Sequence, residues 1–422
     1  MRRHLLAVIL PPVDLQIFVV CFSLALAVPS STRSQKVVGR SCSTSLSFLG
    51  QSAIPLLALT GCDHTSFGKA IGSTFRTQIQ QRLQTPSMGT LRDYSDSKEG
   101  RKTLEALASL NAAAYPKYFQ ELEGIAAGSL ASMKEVLLLN LRQELSAAAG
   151  LDKNVPDCSD QLLHAGAGGP ALLGHNEDNA GELLNASYFI QTDIFPPPKD
   201  ERQWTAFTYA GELSSTAFGF NDAGVAFTLN ALFPANVSVP GIGRNFVSRD
   251  LLQATSFADG LERATKPKHS AGHNYNLIAI PAGSMPGSPR MATVEVGPGG
   301  AYDVLEVPEG SSYFHANTFQ RLKVAQLHEA SSIHRLKRAA ELPVPHNATA
   351  ILSLLGDTED AEYPIYRTGQ GGTFTLVTVL IDLQAATMEV YTGNPREHEV
   401  QAEFNLWQSS VSTLTANILQ KV

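Results

Sequence analysis

The stretch DCSDQLLHAGAGGPALLGHNEDN, residues 157–179, decides how this chain is read. Residues 158–163 and 171–174 read as short strands on either side of the glycine run 166–169, which serves as a hairpin turn. The run is not a phosphate loop, because no GK[ST] follows it and no helix starts there. Just upstream, the polar, proline-closed segment 150–157 breaks the pattern. Before that break the apolar period is helical. Residues 66–83, 98–115 and 117–149 read as helices, and Val136-Leu137-Leu138-Leu139 is apolar on most sides, as in a buried helix. After the break the period is two. Residues 187–193, 204–210, 217–220 and 225–229 read as strands, with Asn221-Asp222-Ala223-Gly224 as a hairpin turn. Helix returns over 246–266, where Ser248 could cap, and again over roughly 318–355. Strands resume at 275–280, 291–296, 301–306, 373–382 and 387–391. Helices, strands, helices and strands in that order predict antiparallel sheets covered by helical layers, an α+β fold.

Composition narrows the function. The chain has 422 residues, 43% of them hydrophobic and 17% charged. That is enough apolar material for a large buried core, and it excludes a coiled coil, collagen and a disordered tail. Two or three domains are allowed, as is one large layered domain. The net charge of −7 argues against nucleic acid as a partner. Four cysteines in a chain of this length do not make a disulfide scaffold. No run reaches the roughly 18 apolar residues of a membrane span.

Residues 1–62 carry five basic residues (Arg2, Arg3, Arg33, Lys36 and Arg40) and one acid, Asp14. Such a basic, Ser-rich segment reads as a sorting signal. The apolar run 15–28 and the small residues Ala25-Leu26-Ala27 suit a signal peptide. The Ser/Arg-rich stretch after it suits an organelle transit peptide, and both readings stand. A secreted chain would have use for the three sequons at Asn185, Asn236 and Asn347. Loss of the segment ending near Val28 leaves Cys42, Cys62 and Cys158, an odd number, hence at least one free thiol.

Cys158 is the only thiol beyond residue 62. A lone internal cysteine is most often a small buried hydrophobe. The residues downstream of it point elsewhere. Residues 157–179 are succeeded by YAGELSSTAFGFNDAGVAFTLNALF (209–233), GIGRNFVSRDLLQAT (241–255), HNYNLIAI (273–280), FHANTFQRL (314–322) and YPIYR (363–367). In this order the motifs resemble the acyl-coenzyme A:isopenicillin-N (6-aminopenicillanic acid) acyltransferase family. This is the peptidase-C45 branch of the N-terminal nucleophile hydrolases, which also includes the insect N-β-alanyl-dopamine (carcinine) hydrolase, and the motifs are most like those of plant-type members. The similarity runs from about residue 55 to residue 395.

The resemblance implies an αββα sandwich, two antiparallel sheets between helical layers, spanning residues 55–400. Residues 1–54 would then be sorting segment and linker, and 401–422 a C-terminal tail. It also implies a proenzyme that cuts itself between Asp157 and Cys158. A light part, 55–157, and a heavy part, 158–422, would stay associated. Family members often carry Gly before the cysteine, where this chain has Asp157. The chemistry is sound in principle. A nucleophile needs a base within reach, and a freed α-amine, titrating near 8, supplies one on the same residue.

Carried over by motif, Asp178 orients the nucleophile's amine, Asn317 stabilises the oxyanion and Arg367 lies near the nucleophile, where a cation would favour the thiolate. Asn230 is a further oxyanion or substrate contact. Each has a plainer reading. Asp178 can be a turn former, Asn317 the N-cap of a helix over 318–322, and Arg367 a surface charge. His175 and His273 with Glu177 and Asp178 lack metal-ligand spacing, and the resemblance implies no metal and no cofactor. The reading favoured is hydrolysis of a small N-acyl amide through an acyl-thioester on Cys158. An acyl-coenzyme A-dependent N-acyltransferase is the alternative, with a coenzyme A thioester as donor. Asp157 also keeps open an unprocessed, non-catalytic binding protein of the same fold.

Overall fold

The computed structural model describes residues 42–50, 54–151, 157–166, 168–194, 201–279, 289–327, 329–397 and 399–406. The apolar run 15–28 and residues 152–156 of the proline-closed break lie outside them. Strands β1 (Ser43–Leu49) and β2 (Ile54–Cys62) come first. Seven helices come next: α1 (His64–Thr74), α2 (Arg76–Leu83), α3 (Pro86–Asp96), α4 (Lys98–Ala114), α5 (Pro116–Ser129), α6 (Met133–Asn140) and α7 (Arg142–Ala149). Strands β3 (Asp157–His164), β4 (Ala171–Ala180), β5 (Ser187–Ile194), β6 (Trp204–Tyr209), β7 (Phe218–Asn221) and β8 (Val225–Leu232) lead to α8 (Arg244–Leu251) and α9 (Phe257–Thr265). Then come β9 (Gly272–Ala279), β10 (Arg290–Val296), β11 (Tyr302–Glu306) and β12 (Ser311–His315), α10 (Ala330–Glu341) and α11 (Ala348–Leu355), and β13 (Thr373–Asp382), β14 (Thr387–Tyr391) and β15 (Ala402–Asn405).

The strands form two sheets. One has nine strands in the order β1-β2-β5-β6-β7-β8-β9-β10-β11, the other six in the order β12-β3-β4-β13-β14-β15. All pairings are antiparallel except β2 with β5. The inner faces meet in one apolar core, where Phe189 of the larger sheet stacks on Phe404 of the smaller at 5.2 Å. On the outer face of the larger sheet, Phe67 of α1 meets Trp204 at 5.8 Å, and Phe75 stacks on Tyr188 at 3.8 Å. In that layer α1 and α5 touch at glycines: a Cβ at Gly68 would lie 1.9 Å from the Glu121 carbonyl oxygen. Beyond the smaller sheet, Ile351, Leu354 and Leu355 of α11 pack on Leu163, Leu172 and Leu380. The four layers are the αββα sandwich expected.

Several expected helices are broken. The helix over 66–83 divides at Phe75. That over 117–149 divides at Leu130, which adopts φ 60°, and again at Leu141. Ser132 and Glu135 form a reciprocal cap that starts α6 afresh. In 246–266 the cap is Ser256, accepting from Asp259 N, while Ser248 is buried inside α8. Helix occupies only 330–341 and 348–355 of the block 318–355, so Asn317 caps no helix.

The boundary at residue 54 also moves. β1 lies within the segment read as sorting sequence and linker, yet it pairs with β2 along all seven residues, Ser43 opposite Thr60 through Leu49 opposite Ile54. Cys42 and Cys62 form a disulfide, leaving Cys158 free among the described residues. β1 is mostly exposed: its apolar Leu46 and Phe48 alternate with serines but lie outside the core. At the other end, β15 belongs to the expected tail and pairs with β14.

Candidate active site

The hairpin of β3 and β4 sets the site by register. Asp157 faces Asp178, Cys158 faces Glu177, Ser159 faces Asn176 and Asp160 faces His175. Successive side chains of a strand point to opposite faces. Cys158, Asp160, His175 and Glu177 therefore share the face toward the larger sheet. Asp157 and Asp178 share the other, where Arg335 of α10 reaches them.

On the inner face the groups form a buried relay. The Cys158 thiol lies 3.4 Å from Glu177 Oε2, which is 3.3 Å from His175 Nε2. His175 Nδ1 lies 2.9 Å from Asp160 Oδ1. Tyr209 donates its hydroxyl to Glu177 Oε1. Asp160 accepts from Thr228 at 2.5 Å and from Asn230 Nδ2 at 2.6 Å. Burial opposes a charge on His175, but Asp160 and Glu177 on either side outweigh it and hold the imidazolium up to about 10. Burial, then Glu177, Asp178 and Asp160, push the Cys158 thiol well above its ordinary range, while a hydrogen bond from the Asp178 backbone works against them. Donor atoms of Cys158, His175 and Glu177 lie within 4.8 Å of one another, but both ring nitrogens of His175 already face carboxylates. His273 is elsewhere, with Nε2 3.1 Å from Gln143 Oε1.

On the outer face Asp157 is gripped from three sides. Arg335 Nη2 lies 3.0 Å from Oδ1, and Oδ2 lies 3.2 Å from Arg367 Nη1 and 2.9 Å from the Ser331 hydroxyl. Arg335 also donates to the Cys158 carbonyl at 2.5 Å and to Asn317 Oδ1 at 3.0 Å. Asp178 Oδ1 accepts from Thr375 at 2.5 Å, while the buried Oδ2 has no partner among the described residues. Burial is the largest cause that lifts the Asp178 carboxyl to about 8, with Arg335, Thr375 and Arg367 opposing it.

The structure gathers Cys158, Asp178, Asn317 and Arg367 around one peptide bond but changes the work each is placed to do. Asn317 does not present a free donor: Oδ1 accepts the Cys158 N–H at 2.7 Å, and Nδ2 donates to the Ala231 carbonyl at 3.0 Å. In the uncut chain the charge of Arg367 is paired with Asp157, and its Nη2 is bound to the Gln370 carbonyl. It is also no surface charge, being buried. Asn230 touches no free space. It holds Asp160, and its Oδ1 accepts from Asn274 and Asn276. Asp178 lies in a strand, not a turn. Sequence reading misses Asp160, Tyr209, Ser331, Arg335 and Thr375, and it weighs Glu177 and His175 only as metal ligands.

A helix–sheet–sheet–helix sandwich with a buried cysteine second in an inner strand, its nitrogen and carbonyl held by side chains, has the layering of the N-terminal nucleophile hydrolases. Residues 165–397, more than half of the chain, match the family described as acyl-coenzyme A:6-aminopenicillanic acid acyl-transferase, and the chain belongs to that family. It is 28% identical to the beta-alanyl-dopamine/carcinine hydrolase of Drosophila melanogaster, over 82% of this chain and 95% of that one. It is 29% identical to the 40 kDa form of acyl-coenzyme A:6-aminopenicillanic-acid-acyltransferase of Emericella nidulans, over 39% of this chain and 43% of that one. Among solved structures, a variant of the conjugated bile acid hydrolase of Clostridium perfringens is 12% identical, with a TM-score of 0.33, covering 59% of this chain and 97% of that one.

Proposed function

We propose that the chain cuts itself before Cys158 and then hydrolyses small N-acyl amides through an acyl-thioester on that residue. The observation that carries this reading is the clamping of the Asp157–Cys158 junction. Asn317 takes the Cys158 N–H, Arg335 takes its carbonyl and the Asp157 carboxylate, and Glu177 faces the thiol. Before the cut no α-amine exists, so the base must come from elsewhere. Glu177 is the acceptor within reach of the sulfur. It takes the thiol proton as Sγ bonds to the Asp157 carbonyl carbon. The C–N bond breaks, and the proton passes to the departing Cys158 nitrogen. Water then splits the thioester, leaving a carboxyl on Asp157 and a free thiol.

In turnover the α-amine of Cys158 serves as base, still held by Asn317. Asp178, whose buried Oδ2 has no partner among the described residues, is the counter-charge for the ammonium form. Sγ bonds to the substrate carbonyl, the amine leaves with the thiol proton, and water releases the acid. The long match to a hydrolase, against the shorter match to an acyltransferase, favours water over an amine as acceptor. Mass spectrometry of the purified chain tests the cut. A heavy chain beginning at Cys158 in the wild type, and one intact chain in Cys158→Ala, are expected. A panel of N-acyl amines, with and without coenzyme A thioesters, tests the reaction. An uncut wild-type chain that turns over none of them would sink the proposal.

A further inference from the structure

The Asp157 carboxylate occupies a seat made for an anion. Arg335 and Arg367 close on its two oxygens at 3.0 and 3.2 Å, and the Ser331 hydroxyl adds a bond at 2.9 Å. Both arginines are buried. The buried Nε of Arg367 has no acceptor among the described residues. Arg335 also donates to the Cys158 carbonyl at 2.5 Å and to the Ser159 hydroxyl at 3.0 Å, so the seat is tied to the nucleophile's own residue.

We propose that in the cut enzyme this seat takes the terminal carboxylate of the substrate's acyl group, so that the substrates are N-acyl amides of short dicarboxylic acids of succinyl spacing. This rests on the self-cleavage reading and deepens it. Asp157 is itself the first acyl group transferred to Cys158. Two carbon atoms separate its carbonyl carbon from its side-chain carboxylate, which is the succinyl skeleton. When water releases the light chain and Asp157 withdraws, two buried guanidiniums lose their counter-charge. Buried charges without partners are costly, and planar guanidiniums are shaped for carboxylate. A substrate that carries a carboxylate at the same distance from its carbonyl restores the pairing. An acyl group of equal length ending in an ammonium meets repulsion instead. Sγ takes the succinyl group as the amine leaves with the thiol proton, and water then releases the free dicarboxylic acid.

The test uses three amides of one amine: N-succinyl, the neutral N-succinamoyl and the cationic N-β-alanyl. For the processed wild type, kcat/KM on the N-succinyl amide should exceed the other two by about a hundredfold or more, as for a buried charge pair against its loss. Arg367→Gln, shown to be cut by intact mass, should lose that advantage, and Arg367→Lys should keep part of it. Equal or faster turnover of the neutral or cationic amide overturns the inference. Turnover of none of the three counts against the hydrolase reading, so a second arm needs no catalysis. In the uncut Cys158→Ala chain the seat is filled, and adding Asp157→Gly, which deletes the side chain, should let acetate, the size of the missing group, bind by calorimetry, with loss on further Arg367→Gln. Failure of acetate to bind the Cys158→Ala/Asp157→Gly chain overturns the seat whatever the amides do.

Discussion

Oδ1 of Asn317 accepts the backbone N–H of Cys158 at 2.7 Å. Arg335 donates to the same oxygen, and the Ala231 carbonyl takes the Asn317 Nδ2, so donors and an acceptor together fix which way the amide points. The nitrogen that Asn317 holds is the one that self-cleavage would turn into the catalytic amine. On that mechanism the atom of Asn317 that acts is its oxygen. Asn317→Ala should slow both cleavage and kcat, by roughly ten- to a hundredfold, through loss of a buried acceptor. Asn317→Asp keeps the acceptor but sets its second oxygen against the Ala231 carbonyl, so it should retain more of the rate than Asn317→Ala though not all of it, whereas a carboxylate could not replace an oxyanion donor. Cleavage time courses and kcat for the two variants decide between the roles.

On the proposed mechanism Glu177 separates the two reactions of the site. It is the acceptor at Cys158 Sγ in the uncut chain, and its charge also helps to hold the thiol protonated. Glu177→Gln should slow self-cleavage by about a hundredfold or more, the usual reach of a lost general base. It should affect turnover less once the chain is cut, because the α-amine has taken over. Densitometry of cleavage against time, then kcat of the fraction that matures, measures both. Equal loss in the two steps would show that Glu177 serves one common function.

The positions of the polar residues set how much of the fold and site is legible in the sequence. The hairpin of β3 and β4 is readable because glycines mark its turn and a pair of leucines flanks it on each side, Leu162-Leu163 and Leu172-Leu173. β13 and β14 fall on the residues expected, since both are apolar runs of strand length between turns. The relay is not readable. Asp160, His175 and Glu177 carry charge within strands, which in sequence looks like a solvent face, and only the register sets Glu177 opposite Cys158. Arg335 is hidden by its company. It lies in α10 beside the exposed Lys337 and half-buried Arg338, and its charge resembles theirs. The one available signal is Ser331 and Ser332, four and three residues before it, small enough to leave that face open to the hairpin. β1 is missed although Leu46 and Phe48 alternate with serines, because the Ser/Arg-rich residues before it make the whole stretch read as sorting segment and linker.

The N-terminal boundary makes a third prediction. Deleting residues 1–39 should leave the fold intact, whereas deleting 1–51 removes β1 and Cys42 together. The Cys42–Cys62 bond closes a loop with a sequence separation of 20. A loop of that length contributes about 3 kcal/mol by restricting the unfolded chain. Cys42→Ser should reproduce most of the loss, read as a lower urea midpoint, and reductant should affect the parent but not that variant. Such bonds persist in oxidising compartments, and Asn185, Asn236 and Asn347 are all exposed. On the signal-peptide reading, glycosidase treatment should lower the mass of the protein from a secreting host; the transit-peptide reading expects no change.

Asp178 makes the stability of the uncut chain depend on pH. Its carboxyl titrates near 3.8 when unfolded and is lifted to about 8 in the fold, burial being the largest cause. Between those values the folded chain binds one proton more than the unfolded chain, so unfolding releases a proton and stability falls as pH rises. This group's stabilising contribution is complete below the unfolded value and gone above the folded one. Its slope approaches about 1.4 kcal/mol per pH unit inside the window. His175 and other buried groups add slopes of their own, so the useful measurement is a difference. Urea midpoints of the uncut Cys158→Ala chain should be compared with those of the same chain carrying Asp178→Asn, from pH 4 to 9. The amide keeps the shape and cannot ionise, so the gap between the two chains should shift in favour of Asp178→Asn as pH rises and stop changing above about 8. If the chain is cut as proposed, the α-ammonium of Cys158 in the processed wild type would supply a partner for Oδ2, and Asp178 should then ionise at lower pH. The same comparison there should show its change at more acid values. An unchanged gap in the uncut chain would mean that the carboxyl ionises normally and that Oδ2 is already satisfied before the cut.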